Sequence, residues 1–241
     1  MGDFPFTFHG LFEKMWLKIG SGEDMSGTLL DQEVRAPERA TGIRAPGSAA
    51  PLATEQFVRE YGERLAKALR LDAMTKVPDL LDALRSAWRD GRSIYICGNG
   101  GSAGNAIHIA NDLLCGAGLK AKGGLKVEAL SANPAVLTCL ANDLGYDSIY
   151  AEQVRVKGNP GDILIVLSGS GNSPNVVRAL EVAHAKGMIT FAIVGYSGGK
   201  CRVLAQHPIH FMVDDMQIAE DLQLVVGHVA MQWLCANPIE T

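Results

Sequence analysis

No apolar run in the sequence approaches the roughly 18 residues that a membrane-crossing helix needs, so no membrane partner is expected. No secretory leader is expected either. Asp3 comes early, and neither a continuous apolar core nor a small-residue cleavage site follows it. "MGDFPF" lacks the Ser or Thr at position six that myristoylation favours. Basic charge is not in excess: the formal net charge is −4 and no basic stripe is present, so nucleic acid is not expected as a partner. The five cysteines (Cys97, Cys115, Cys139, Cys201, Cys235) are scattered, odd in number and without a C-x-x-C pair. That excludes a disulfide scaffold and fits a reducing, cytoplasmic location. There is no internal repeat.

What is present divides at about residue 52. Within the first 50 residues, Phe8, Leu11, Phe12, Met15, Trp16 and Ile19 fall at helical spacing and predict one short amphipathic helix. A stretch rich in Gly, Pro, Ser and charge follows, which reads as a linker. Residues 1–52 are therefore an arm and linker, and residues 53–241 one domain. In that domain, helices are predicted at 53–71, 77–90, 102–115, 134–142, 147–157, 174–187, 199–205 and 216–235. Strands are predicted at "SIYIC", "KVEAL", "DILIVLS", "ITFAIVG" and "IHFMV". This alternation implies an α/β fold: a five-stranded parallel sheet sandwiched by helices, with an N-terminal helical extension.

Two loops stand out. "CGNGGSAG" follows a strand and opens a helix, where unpaired backbone N–H groups and the helix dipole favour an anion. Its Gly98-x-Gly100-x-x-Ala103 matches the dinucleotide fingerprint, but the acidic residue expected about 20 residues on is absent: position 118 is glycine, and Glu128 lies about 30 residues away. "GYSGGKC" resembles a nucleotide P-loop, yet its spacing is wrong and a cysteine replaces the metal-binding Ser or Thr. No nucleotide cofactor is expected. The second loop, "LSGSGNSPNV", again joins a strand to a helix. Ser168, Ser170 and Ser173 place three hydroxyls around Gly169 and Gly171, and Pro174 suits a first helical turn. A serine-rich loop without lysine suits a phosphomonoester that is held but not transferred. Close helix–strand packing and ordinary turn chemistry remain the simpler readings of each loop taken alone.

His108 and Asp112 are spaced i, i+4 and share a helix face. Glu220 and His228, spaced i, i+8, share another. Either pair alone is more often structural, a capped histidine and a solvated carboxylate.

The motifs "GNGGSAGNAIHIANDL", "ANDLGYD", "GDILIVLSGSGNSPNV" and "IAEDLQLVVGH" together resemble the sugar isomerase (SIS) domain, and within it the phosphoheptose isomerase branch, over roughly residues 53–236. The resemblance implies an aldose–ketose isomerase that interconverts sedoheptulose 7-phosphate and D-glycero-D-manno-heptose 7-phosphate through a cis-enediol, and a homotetramer. It implies substrate contacts at Asn99, Gly100, Gly101, Ser102, Asn142, Asp143, Ser168, Gly169, Ser170, Asn172 and Ser173, with Asp112 and His228 as proton carriers. It also implies a divalent site, zinc first, at His108, Asp112, Glu220 and His228. Three residues depart from the family pattern. Asp112 stands where the family has Glu, Glu220 where it has Gln, and Asn105 where it has Asp. The placement of Glu220 depends on anchoring the last helix at His228; the other anchor would put Ala219 and Gly227 at the functional positions. A phosphosugar-binding regulator without catalysis and an isomerase of another sugar phosphate are the alternatives on the same fold.

Overall fold

The computed structural model describes residues 43–45, 53–117 and 123–239. The chain divides into two units, residues 1–38 and 39–241, and every described residue belongs to the second. The predicted helix carrying Phe8 to Ile19 lies outside the described residues.

The domain opens with helices α1 (Thr54–Ala68) and α2 (Val77–Arg89). Strand β1 (Ser93–Gly98), helix α3 (Gly101–Asn111) and strand β2 (Lys126–Ala129) follow. Next come α4 (Pro134–Leu144), α5 (Ala151–Lys157), β3 (Ile163–Ser168) and α6 (Pro174–Ala185). The domain closes with β4 (Ile189–Val194), α7 (Gly199–Leu204), β5 (His207–His210) and the long α8 (Met216–Ala236). All five strands are parallel, in the order β2-β1-β3-β4-β5. Every residue of β3 is buried, as a strand covered on both faces requires.

Alternate residues feed two cores. Ile94, Ile96, Ile163, Ile165 and Leu167 join Leu84 of α2, Ile109 of α3 and Leu222 and Val226 of α8. Tyr95, Cys97, Leu164 and Val166 join Val154 of α5, Val176 and Leu180 of α6, and Cys201 of α7 on the opposite face. The period of two in side-chain direction makes a helix layer on each face obligatory.

Beside shifts of about one to three residues at other element ends, three boundaries differ from expectation in a way that has a physical cause. The last strand is His207–His210, not residues 209–213. Its partner β4 stops at Val194, and Phe211 N–H to Val194 O, at 2.9 Å, is the final bond between them. Beyond it, Phe211 and Val213 stay buried while the backbone pairing passes out of β4 to Tyr196, so apolar alternation outruns the strand. The helix expected at 102–115 is α-helical only to Asn111, and Asp112–Gly116 widens into a π turn. The helix expected at 147–157 starts as a 3₁₀ turn, Tyr146–Ser148, before α5. Ahead of the domain, Ile43 is fully buried and Arg44 forms a parallel bridge with Asp214.

The strand order reverses between β1 and β3: the chain moves outward from β1 to β2, then returns to the other side for β3. The carboxyl ends of these two strands flank the crevice where such sheets bind ligands.

Candidate active site

The two glycine-bearing loops leave the sheet at that crevice. Gly98, ending β1, lies opposite Leu167 of β3. A Cβ on Gly98 would stand 2.8 Å from both Leu167 O and Ser102 Cβ, so only glycine lets the first loop fold back over the strand end. The buried Tyr150 hydroxyl donates to the Gly98 carbonyl, and burial raises its pKa, keeping it a donor. Asn99 and Asn175 exchange amide hydrogen bonds of 2.9 and 2.8 Å. Asn175 is 1% exposed and sits in the first turn of α6, so this pair ties the first loop to the second. Tyr146 donates to Asn99 Oδ1 at 3.1 Å and adds the segment after α4 to the same tie.

The second loop is held from within. Ser168 Oγ accepts from Gly171 N–H at 3.0 Å, and Ser170 Oγ accepts from Asn172 N–H at 3.3 Å. Asn172 Oδ1 accepts from Lys200 N–H at 3.0 Å and braces the loop on α7. Ser173 stands at the N-cap of α6 without bonding the helix through its side chain. Ser168 is thus a turn former, while the partly exposed Ser170 and Ser173 line the outer side. Gly169 is bare because a Cβ there would crowd Met216, 3.0 Å from its Cε.

Ser102 is turned toward the last helix. It is 3% exposed, and its hydroxyl accepts from Gln223 of α8 at 3.1 Å. Asn105 donates to Gln223 Oε1 and to Glu220 O, both at 3.0 Å. Ser102, Asn105 and Gln223 therefore cross-link α3 to α8. Lower down the same interface, a Cβ on Gly227 would stand 2.5 Å from Ile109 Cγ1. The missing side chain lets the helices approach, and His228 follows directly on α8.

That approach brings three donors to one point. His108 Nε2 and His228 Nε2 are 3.0 Å apart, and Asp112 Oδ2 lies 3.3 Å from the first and 3.7 Å from the second. The imidazoles are about half exposed, the carboxylate much less, and the rings meet edge to face. Asp112 opens the π turn, a device that re-aims side chains at functional sites. Two imidazole nitrogens facing each other must share a proton or a cation. Ligands around a tetrahedral zinc with bonds of about 2.0–2.1 Å stand about 3.3 Å apart, and the three observed separations bracket that value. Two imidazoles and a carboxylate are also the donor types that suit zinc, so these residues fit a divalent ion with one direction left open.

Glu220 does not join them. The group that could hold a metal among the described residues is His108, Asp112 and His228. Eight residues on one face of α8 are about 12 Å along its axis. Glu220 lies instead against Gly101 at the start of α3, where a Cβ would stand 2.5 Å from its Cδ. A carboxylate is favoured there by the helix dipole. Gly100 beside it has φ +55°, open to glycine but strained for other residues. Ala219 is buried and Gly227 packs on Ile109, so the His228 anchor is the one that yields a site. Asn142 and Asp143 end α4 in solvent, bonded to each other at 2.8 Å. Asp143 also accepts from Cys139 at 3.5 Å, and this hydrogen bond, reinforced by its charge, raises the thiol's pKa. Sequence reasoning missed the roles of Asn175, Tyr146 and Gln223. A polar residue amid "DLQLVV" was the available signal for the last.

The SIS domain family profile matches residues 56–195. A phosphoheptose isomerase from Rhodospirillum rubrum is 35% identical over 177 residues, which is 73% of this chain and 94% of that protein. One from Aquifex aeolicus is 36% identical over 175 residues, 73% of this chain and 91% of that one. The solved phosphoheptose isomerase of Neisseria gonorrhoeae superposes with a TM-score of 0.69 at 25% identity, over 76% of this chain and all of that chain. By the profile match and by these relatives, the chain belongs to the phosphoheptose isomerase family of SIS-domain proteins.

Proposed function

We propose that the protein isomerises sedoheptulose 7-phosphate to D-glycero-D-manno-heptose 7-phosphate. The observation that carries this reading is the meeting of His108, Asp112 and His228 within 4.8 Å, in a chain whose relatives are named phosphoheptose isomerases. Ser170 and Ser173 hold the terminal phosphate with hydroxyl and backbone donors. The reacting carbons lie at the other end of a seven-carbon chain, so phosphate loop and proton carriers must be separated. A base takes a proton from C1 while the O2 carbonyl gains one, giving the cis-enediol. Return of a proton to C2 and loss of the O1 proton complete the aldehyde, with no net change in electrons. Asp112 moves the carbon-bound proton and His228 the hydroxyl proton, in the ordinary manner of general acid–base pairs. Zinc held by His108, Asp112 and His228 would polarise the carbonyl and hydroxyl oxygens as a Lewis acid, and a side chain fully engaged as its ligand would not then serve as a free proton carrier. Remote binding energy at the phosphate fixes C1 and C2 against these groups.

A homotetramer in the cytoplasm completes the reading. Its support is the exposed Ile107 and Val229 next to the two histidines, Phe57 and Val58 exposed on α1, and five unpaired cysteines. The deciding experiment follows sedoheptulose 7-phosphate in D₂O by NMR, with zinc and with chelator, on protein whose mass is measured by light scattering. Conversion with one deuterium at C2 is expected, lost on chelation, from a tetramer. No conversion in either condition would leave the binding-protein alternative.

The phosphate assignment has its own test. In Ser170→Ala/Ser173→Ala each lost bond to the charged group costs roughly 1.5–3 kcal/mol. Sugar-phosphate affinity then falls on the order of 100-fold or more by calorimetry. Unchanged affinity would remove this loop as the anchor.

A further inference from the structure

A short segment ahead of the domain reaches the phosphate loop through a continuous backbone ladder. Asp214 N–H donates to Ile43 O at 2.9 Å, and Ala45 N–H donates to Asp214 O at 3.1 Å. On the next rung, Tyr196 N–H donates to Val213 O at 2.9 Å. On the last, Gly195 N–H donates to Gly169 O at 2.9 Å, and Gly169 lies between Ser168 and Ser170. Ile43 is fully buried at the outer end, while Arg44 and Asp214 are paired at 3.7 Å with half-exposed side chains. The family match begins only at residue 56.

The middle rung is under strain. Tyr196 has φ +43°, the only positive value among the described residues other than glycine. A bulky side chain in that region is an outlier, and it persists only where its surroundings over-determine it. Here they do so from two sides: Val213 takes its N–H, and its carbonyl faces His210 Nε2 at 2.9 Å. The Tyr196 ring also approaches the bare backbone of Gly169. Whatever fixes residues 213–214 therefore fixes Tyr196, and through Gly195 the carbonyl of Gly169.

We propose that residues 43–45 are positioning residues for the phosphate loop, acting through the 214, 196 and 169 rungs. The proposal rests on the reading of residues 168–173 as the phosphate-binding loop. Under it, loosening the outer rung lets Tyr196 relax and the loop donors drift. Substrate binding weakens, while proton transfer at His228 and Asp112, on other elements, is untouched.

The test uses the full chain. Ala45→Pro deletes one rung donor at an exposed position, and Arg44 before it is already extended, as a residue preceding proline should be. Ile43→Ala removes the buried anchor, and Arg44→Ala, which removes only the surface pair, is the control. Amide exchange of Tyr196 and Gly195 should speed up by about tenfold or more in the first two variants. The Kd for inorganic phosphate and the KM for sedoheptulose 7-phosphate should rise roughly five- to tenfold, with kcat within about twofold. Arg44→Ala should match the parent. Unchanged exchange in Ala45→Pro overturns the proposal. So does a fall in kcat at constant KM that tracks a lowered thermal midpoint, which is what mere core filling by Ile43 would give. If the parent binds neither ligand, the reading of the loop fails by itself, and the exchange rates still decide whether the ladder exists.

Discussion

Replacing His228 by glutamine lowers turnover of sedoheptulose 7-phosphate by roughly 100-fold or more, the range of a lost general acid or base. The thermal midpoint and the affinity for phosphate stay near those of the parent. The imidazole is 46% exposed and its contacts are His108 and Asp112, so its removal opens no cavity in the core. Glutamine keeps a polar end but cannot carry a proton at neutral pH. It also removes one of the three donors that fit a divalent ion, so the proposed uptake of zinc falls in the same variant. Steady-state kinetics, a melting curve and metal analysis on the two proteins decide the matter. Near-normal turnover with a lowered midpoint would make His228 a packing residue of α8.

Gly171→Ala is expected to be the most damaging change in the second loop. Gly171 has φ +67°, and a Cβ on it would overlap the Gly198 carbonyl, 2.6 Å from its carbon and 3.2 Å from Gly199 N. These are backbone atoms at the start of α7 and cannot swing aside as a long side chain would. Either the loop or α7 must move, and the 2.9 Å bond from Cys201 N–H to Gly171 O is lost with it. Strain and lost packing together cost about 3 kcal/mol or more. For a chain of this size that lowers the midpoint by about 6–12 °C. Sugar-phosphate binding disappears because Ser170 and Asn172 flank the displaced residue. Wild-type affinity together with a wild-type melting curve would show that the loop tolerates the side chain.

The centre of the sheet was legible because its strands are buried on both faces. "DILIVLS" can be little else between two helical stretches, and Ile163–Ser168 is the strand it forms. The end of the last strand was not, because alternation in "IHFMV" reports burial, whereas pairing depends on where β4 stops. At the site, the i, i+4 spacing put His108 and Asp112 on one face, and 3.3 Å now separates them. His228 came from the family pattern, and the bare Gly227 explains how it arrives. Glu220 stands apart from the other three for a geometric reason: sharing a face fixes direction around a helix but not distance along it. Ser102 looked like a loop hydroxyl because nothing local reveals that Gln223, 121 residues away, closes over it. Asn175 was invisible for the same reason, since its partner Asn99 is 76 residues distant.

The placement of the cysteines gives the molecule a built-in clock. Cys97 and Cys201 are fully buried in the same core, and burial pushes the Cys201 thiol up to about 12 and raises Cys97 as well. Cys115 is exposed beside Asp112, and Cys139 is exposed but kept protonated by Asp143. A thiol reagent at neutral pH therefore meets the surface sulfurs first, and the core pair only when the helices on that face of the sheet lift away. The slow phase of a simple thiol titration times the opening of one half of the domain, with no label, tag or substitution required.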